Sequence, residues 1–174
     1  DDGDEIYELG NTWQVIAEGS GTHAEIYFPQ GGFPDSSRHF LALEGVRPRE
    51  AESSQVVGVR VSVREAAAAA DPNQEDLAAD VSAFDGLAFA VKGTPGTYIV
   101  QIGSTLVQDF DFYNSYVEVA EDWQEYRIPF GSFRQEGFGQ DVDWQSGYAS
   151  HIAFFANLGG SFRFAVDDIR FYRE

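Results

Sequence analysis

The chain has 174 residues, no cysteine, and 29 Asp and Glu against 11 Lys and Arg, a net charge of −18. A chain of this length can bury about two-thirds of its unfolded surface in one core, and the lack of cysteine excludes disulfides, thiol catalysis and Cys-based zinc sites. The negative field repels nucleic acid and anionic membrane surfaces, and with no run of about 18 apolar residues and no charged-then-apolar N-terminus, a soluble chain with no nucleic acid partner and no membrane insertion is expected.

In chain order, short alternating segments bounded by Gly, Pro, Asn and Asp recur in place of helical periodicity. Segments 23–28 and 38–43 are strand candidates. Val57, Val59, Val61 and Val63 alternate with Gly58, Arg60 and Ser62, the pattern of a strand with one buried face. Five consecutive alanines, Ala66 through Ala70, closed by Asp71-Pro72-Asn73, predict a loop or short helical excursion over 64–76. Leu87, Phe89 and Val91 repeat the strand pattern against Gly86, Ala88, Ala90 and Lys92. Thr94-Pro95-Gly96 then forms a tight turn into Tyr98, Val100 and Ile102, which predicts a hairpin. Segments 110–118, 123–129, 150–156, 161–166 and 168–172 complete the set. Strands this closely spaced predict an all-β fold, a two-sheet antiparallel β-sandwich spanning 1–174 as a single domain.

Near the C-terminus, Phe162, Phe164 and Val166 share one parity and Ile169 and Phe171 the other. Both sets reach the core only if a β-bulge absorbs one extra residue at Asp167-Asp168. An acidic pair there can turn one carboxylate into the domain, where it needs a partner or a cation.

Three segments resemble family 11 carbohydrate-binding modules and the related complex I intermediate-associated protein 30 domain. Trp123-Gln124-Glu125-Tyr126-Arg127-Ile128-Pro129-Phe130-Gly131-Ser132-Phe133 is similar to their W-x-x-[hydrophobic]-x-I-P-F-x-x-F element. Ile152 through Asn157 and Phe164-Ala165-Val166-Asp167-Asp168-Ile169 resemble their closing strands, which end on V-D-[DN]-I, and Leu77 through Leu87 is similar to their D-[LV]-S-x-[YF]-x-G-L entry to a core strand. The likeness is good over 77–174 and loose over 4–60. It implies a galactose-binding-like jelly roll, with a concave sheet face that holds a polysaccharide in the binding modules. It also implies a structural calcium, with Asp167 as one ligand and Glu8 or its neighbours in the acidic N-terminal segment as others. The loop from Arg134 to Gln140 resembles the region where those modules present an Arg, an Asp and a Tyr, which points to Arg134 and Phe138 as ligand contacts. The chain departs from the pattern at Asp4-Glu5-Ile6-Tyr7-Glu8 and at Phe155, where the binding modules line their cleft with tyrosine.

Strand parity adds candidates of its own. If Ile152, Phe154 and Ala156 face the core, then His151, Ala153 and Phe155 face the other way, as do Thr97, Ile99 and Gln101 on their strand and the small Gly86, Ala88 and Ala90 on theirs. Small residues beside aromatic and polar ones describe a shallow groove in which a pyranose ring could lie on an aromatic face; the competing account is a face covered by a loop or a partner. Asp111 and Tyr113 join the candidates, although Phe110, Phe112 and Tyr116 form a rival apolar set on the same segment. Phe138, between Gly137 and Gly139, is a candidate rim residue. His23, His39 and His151 show neither metal-ligand spacing nor a nucleophile elbow, and no carboxylate pair stands out as a glycosidase dyad.

The expected function is therefore a non-catalytic module that holds a β-glucan-like polysaccharide on one sheet face through Phe155, Phe138, Arg134, Gln101, Asp111, Tyr113 and His151. Export and covalent linkage to other domains of a larger polysaccharide-degrading or surface protein go with it. The alternatives are an assembly domain of the intermediate-associated type and a jelly-roll hydrolase or lyase. Lys92 is the sole lysine against ten arginines, a composition suited to salty water or to an ordinary acidic exported protein. In either setting the self-repulsion of 18 excess negative charges is screened by salt. The urea midpoint of unfolding is expected to rise between about 0.01 M and about 1 M sodium chloride, as the Debye length falls from about 30 Å to about 3 Å.

Overall fold

The computed structural model describes residues 13–33, 39–50, 55–63 and 78–174. Ten strands are present among them: β1 Trp13–Ala17, β2 His23–Tyr27, β3 Leu41–Arg47, β4 Val57–Ser62, β5 Gly86–Gly93, β6 Gly96–Ser104, β7 Tyr113–Val119, β8 Gln124–Pro129, β9 Ala149–Ala156 and β10 Gly160–Tyr172. They form two five-stranded sheets, a front sheet in the order β1-β4-β9-β6-β7 and a back sheet in the order β2-β3-β10-β5-β8. All pairings are antiparallel. The fold is the expected jelly-roll β-sandwich. The excursion predicted over 64–76 and the candidate ligand Glu8 lie outside the described residues.

Parity decides the core. Val57, Val59, Val61 and Val63, Leu87, Phe89 and Val91, and Ile152 and Phe154 are all buried between the sheets, as the alternation requires. Phe154 of the front sheet meets Phe89 edge-on at 5.2 Å and Phe164 at 5.7 Å in the back sheet, and Tyr98 stacks on Phe164 at 5.0 Å. Aromatic pairs in these geometries add attraction to the area they bury. The buried Tyr98 hydroxyl donates to the Thr94 and Arg163 carbonyls, which keeps the ring in the core without an orphaned polar atom.

The predicted bulge is present. Asp167 pairs with Ala90 and Arg170 with Ala88, so Asp168 and Ile169 oppose one residue, Phe89. Asp168 takes a left-handed φ of 51°, and Val166 and Phe171 are both buried on either side of the shift. Segments 161–166 and 168–172 are thus one bulged strand, β10.

Other expectations are corrected. Pro95-Gly96 does not close a hairpin: β5 pairs with β10 and β8 in the back sheet, whereas β6 pairs with β9 and β7 in the front sheet. The turn carries the chain from one sheet to the other. A tight turn specifies reversal, while the partner of each strand is settled by long-range pairing. Ala88 and Ala90 consequently belong to the outer face of the back sheet and form no part of a groove with His151 and Phe155. β1 has no clear alternation in the sequence because it is a half-exposed edge strand, with Val15 39% exposed despite lying opposite Val59.

Phe154→Ala is expected to cost about 3–5 kcal/mol of stability in urea unfolding, the range for emptying a buried aromatic site.

Candidate functional site

The outer face of the front sheet is laid out in rows by strand register. One row runs Ile16, Gly58, Phe155, Ile99 and Tyr116 across the five strands; the next runs Gln14, Arg60, Ala153, Gln101 and Asn114. A third holds Ser62 and His151. The predicted Gln101, His151 and Phe155 therefore do share one face, through β6 and β9.

The second row is a strip of polar side chains. The Arg60 guanidinium donates to Gln14 Oε1 at 2.7 and 3.1 Å. Gln101 Nε2 donates to Asn114 Oδ1 at 3.0 Å, and Asn114 Nδ2 donates to Glu136 Oε1 at 3.2 Å. The same Glu136 oxygen accepts the Tyr116 hydroxyl at 2.6 Å. That bond, with burial and the Glu136 charge behind it, pushes the Tyr116 hydroxyl up to about 12. The strip extends beyond β7 because Asn114 and Arg134 exchange two backbone hydrogen bonds, 2.8 and 2.9 Å, which seat the 134–140 loop on the sheet edge.

Aromatic rings lie against this face where the strands carry glycine. A methyl group at Gly58 would stand 2.6 Å from Phe155 Cδ1, and one at Gly103 would stand 2.0 Å from the His151 ring. Glycine thus lets Phe155 and His151 rest close on the neighbouring strand. Phe155 keeps part of its ring in solvent, whereas His151 is only 3% exposed, beneath Phe112, whose ring meets it edge-on at 4.8 Å. Burial, aided by repulsion from Arg60, lowers the His151 pKa from 6.5 to about 3. His151 is neutral in solution near pH 7 and supports the floor of the face.

Two further candidates lie behind this face. The Tyr113 side chain points into the core, its hydroxyl donating to the Val142 carbonyl at 2.7 Å and its ring set edge-on to Trp144 at 5.1 Å. Asp111 is 1% exposed, and its carboxylate accepts the backbone N–H groups of Glu136, Gly137 and Gly139 at 2.8, 2.9 and 3.1 Å. It holds the loop that carries Glu136 and Phe138, while Arg134 and the 69%-exposed Phe138 remain at the surface.

Asp167 lies on the opposite side of the molecule. It is 7% exposed on the outer face of the back sheet, where Oδ2 accepts the Phe33 N–H and Oδ1 the Asp168 N–H, each at 2.8 Å. Asp168 turns to Arg170, which also pairs with Glu125 at 2.8 Å. Among the described residues no group of three His, Asp or Glu side chains is placed to hold a metal ion, so calcium at Asp167 would need donors from elsewhere. A hollow of about 530 Å³ opens on that same face between Tyr27, Phe40, Lys92 and Arg163. It shares no residue with the polar strip, and a sheet face suited to an extended chain need not enclose a cavity.

Arg60, Asn114, Tyr116 and Glu136 are the residues of this face not singled out by sequence. Arg60 and Tyr116 had a usable signal, the parity opposite Val59 and Val117. Asn114 shares the parity of Tyr116 on β7 and carried the same signal; Glu136 had none, since a loop crossing a sheet edge leaves no periodic trace.

The fold matches carbohydrate-binding modules of known structure. A family 11 module from Clostridium thermocellum, in complex with a β-1,3-1,4-mixed-linked tetrasaccharide, is 18% identical with a TM-score of 0.69, covering 97% of this chain and 93% of that one. The family 30 module of a cellulosomal cellulase from the same organism is 12% identical with a TM-score of 0.63 and covers 98% of both chains. An exo-β-agarase matches over 24% of its length, with 10% identity and a TM-score of 0.53. No curated protein sequence matches. The molecule thus has the jelly-roll architecture of these modules. The chain belongs to the complex I intermediate-associated protein 30 family, whose model matches residues 54–153.

Two outcomes follow from the site. Because the native His151 resists protonation, the unfolded state binds the extra proton between pH 6.5 and about 3, and stability from this group is lost as pH falls through that window. Compared by urea unfolding, His151→Gln is expected to lack that loss, so its stability relative to wild type improves from pH 7 to pH 4. Asp111→Ala leaves three loop N–H groups without their acceptor and is expected to cost about 2 kcal/mol, with faster amide exchange at Glu136, Gly137 and Gly139.

Proposed function

We propose that this chain is a non-catalytic carbohydrate-binding module that holds a neutral β-linked glycan across the strands of its front sheet. The observation that carries this reading is the row geometry. Phe155 and Tyr116 both pair with Ile99, so they stand two strands apart in one row, about 10 Å at the usual strand spacing. That span is close to the two-residue repeat of an extended β-linked chain, so that alternate pyranose residues can each lay an apolar CH face on a ring. The adjacent strip of Arg60, Gln101, Asn114 and Glu136 supplies donors and acceptors for hydroxyl groups, with Arg134 at its edge. A net charge of −18 disfavours uronate- or sulfate-bearing chains, which supports a neutral glycan such as a mixed-linkage β-glucan. In this reading the module is exported as part of a larger protein.

Family membership supports a second reading, an assembly domain that uses the same face for a protein partner. Binding to a glycan array, with an assay for new reducing ends, separates the readings: binding without cleavage supports the module, and an absence of binding favours assembly. Calcium enters only if Asp167 shares an ion with the acidic N-terminal segment around Glu8; in that case chelation lowers the melting temperature, and an unchanged value leaves Asp167 to its backbone bonds. Phe155→Ala is expected to weaken mixed-linkage β-glucan binding roughly tenfold while leaving the melting temperature within a few degrees of wild type.

A further inference from the structure

Phe110 is 77% exposed and has a left-handed φ of 66°. Neither fact favours phenylalanine: a bulky residue is a rare occupant of that backbone region, and its ring gains nothing from water. Such a conformation persists only where the surroundings impose it, and here they do. The residue on each side is an aspartate tied to the 135–140 loop. Asp109 accepts the Gln140 N–H through Oδ2 and the Asp111 N–H through Oδ1, the first of these bonds holding its carboxyl below the usual carboxylate range. Asp111 accepts the Glu136, Gly137 and Gly139 N–H groups. A methyl group at Gly139 would lie 2.4 Å from the Asp109 carboxylate, so the loop is closed tightly on this pair. The two acids grip one loop and leave the phenyl ring between them outside.

That ring continues the proposed binding face. Phe110 meets Phe112 edge-on at 6.3 Å, and Phe112 covers His151. The loop gripped by the two aspartates is the one that Arg134 seats on β7 and from which Glu136 joins the polar strip.

We propose that Phe110 is an additional aromatic subsite, held outward by the Asp109–Asp111 clasp across the polar strip from Phe155 and Tyr116, that stacks on a further pyranose residue of a chain long enough to reach past that strip. The inference rests on the glycan-binding reading above and refines its ligand: an internal stretch of a long neutral β-glucan, with affinity that grows with chain length.

The test is calorimetric titration of wild type, Phe110→Ala and Phe110→Gly with a mixed-linkage β-glucan tetrasaccharide, an octasaccharide and the polymer, alongside thermal melts. Wild type is expected to bind the two longer ligands more tightly than the tetrasaccharide. Both variants are expected to keep tetrasaccharide affinity and to lose about three- to tenfold on the longer ligands. The melting temperature of Phe110→Gly is expected not to fall, since glycine accepts the left-handed backbone. Unchanged polymer binding by both variants would overturn the subsite while leaving the glycan reading standing. Equal losses on all three ligands would overturn it too, by placing Phe110 within the main face. A fall in the melting temperature of both variants, with unchanged binding per folded molecule, would assign the ring to packing. Absence of any glycan binding by wild type would remove the underlying reading and this inference together.

Discussion

The packing of Phe154 against Phe89 and Phe164, with Tyr98 stacked beside them, joins the two sheets. Because side chains alternate along a strand, the same eight residues of β9 that place Ile152 and Phe154 in the core place His151, Ala153 and Phe155 on the outer face. The core therefore fixes the position of the candidate site: a shift of one residue in β9 would exchange Phe154 for Phe155 and lose both. A rigid central strand also suits ligand binding, since a face held by the core needs little ordering when a partner arrives.

Around that strand the molecule treats its acids in two ways. Among the described residues most face water and contribute to the field. A few are built in: Asp111 and Asp109 hold a loop by accepting backbone N–H groups, Asp167 accepts two more at the bulge on the far sheet, and Glu136 links Asn114 to Tyr116. Backbone N–H groups suit a carboxylate in a partly dry place, because they supply charge-assisted bonds without adding a long, mobile cation. In a chain with one lysine, this substitutes for salt bridges, and the described ion pairs centre on Arg170 and Arg163.

The two faces of the sandwich are correspondingly unlike. The front carries a polar strip bordered by aromatic rings with Ala153 at its centre. The back carries the bulge, the Arg170 pairs and a hollow in which the Lys92 ammonium lies over Phe40 and Trp123 at 5.3 and 4.8 Å. Ala88 and Ala90, wholly buried on that outer face, pair with Arg170 and Arg127 and with Asp167 and Glu125 on the flanking strands, and the Arg170–Glu125 ion pair joins those two strands.

Strand positions, core parity and the Asp167 bulge are legible in the sequence because each depends on a period of two along a few contiguous residues. The valines of β4 and the aromatics of β9 and β10 carry that period openly. Which sheet a strand joins is not local. The Pro95-Gly96 turn reads as a hairpin yet connects two sheets, since the free energy of pairing β5 with β10 and β6 with β9 is won between segments far apart in the chain. The same holds at the site. Gln101, Phe155 and His151 follow from parity, but whether such a side chain meets solvent depends on what lies above it: Phe112 buries His151, and a loop from beyond β8 turns Asp111 into a clasp. Alternation decides which way a side chain points; only long-range packing decides what it meets there.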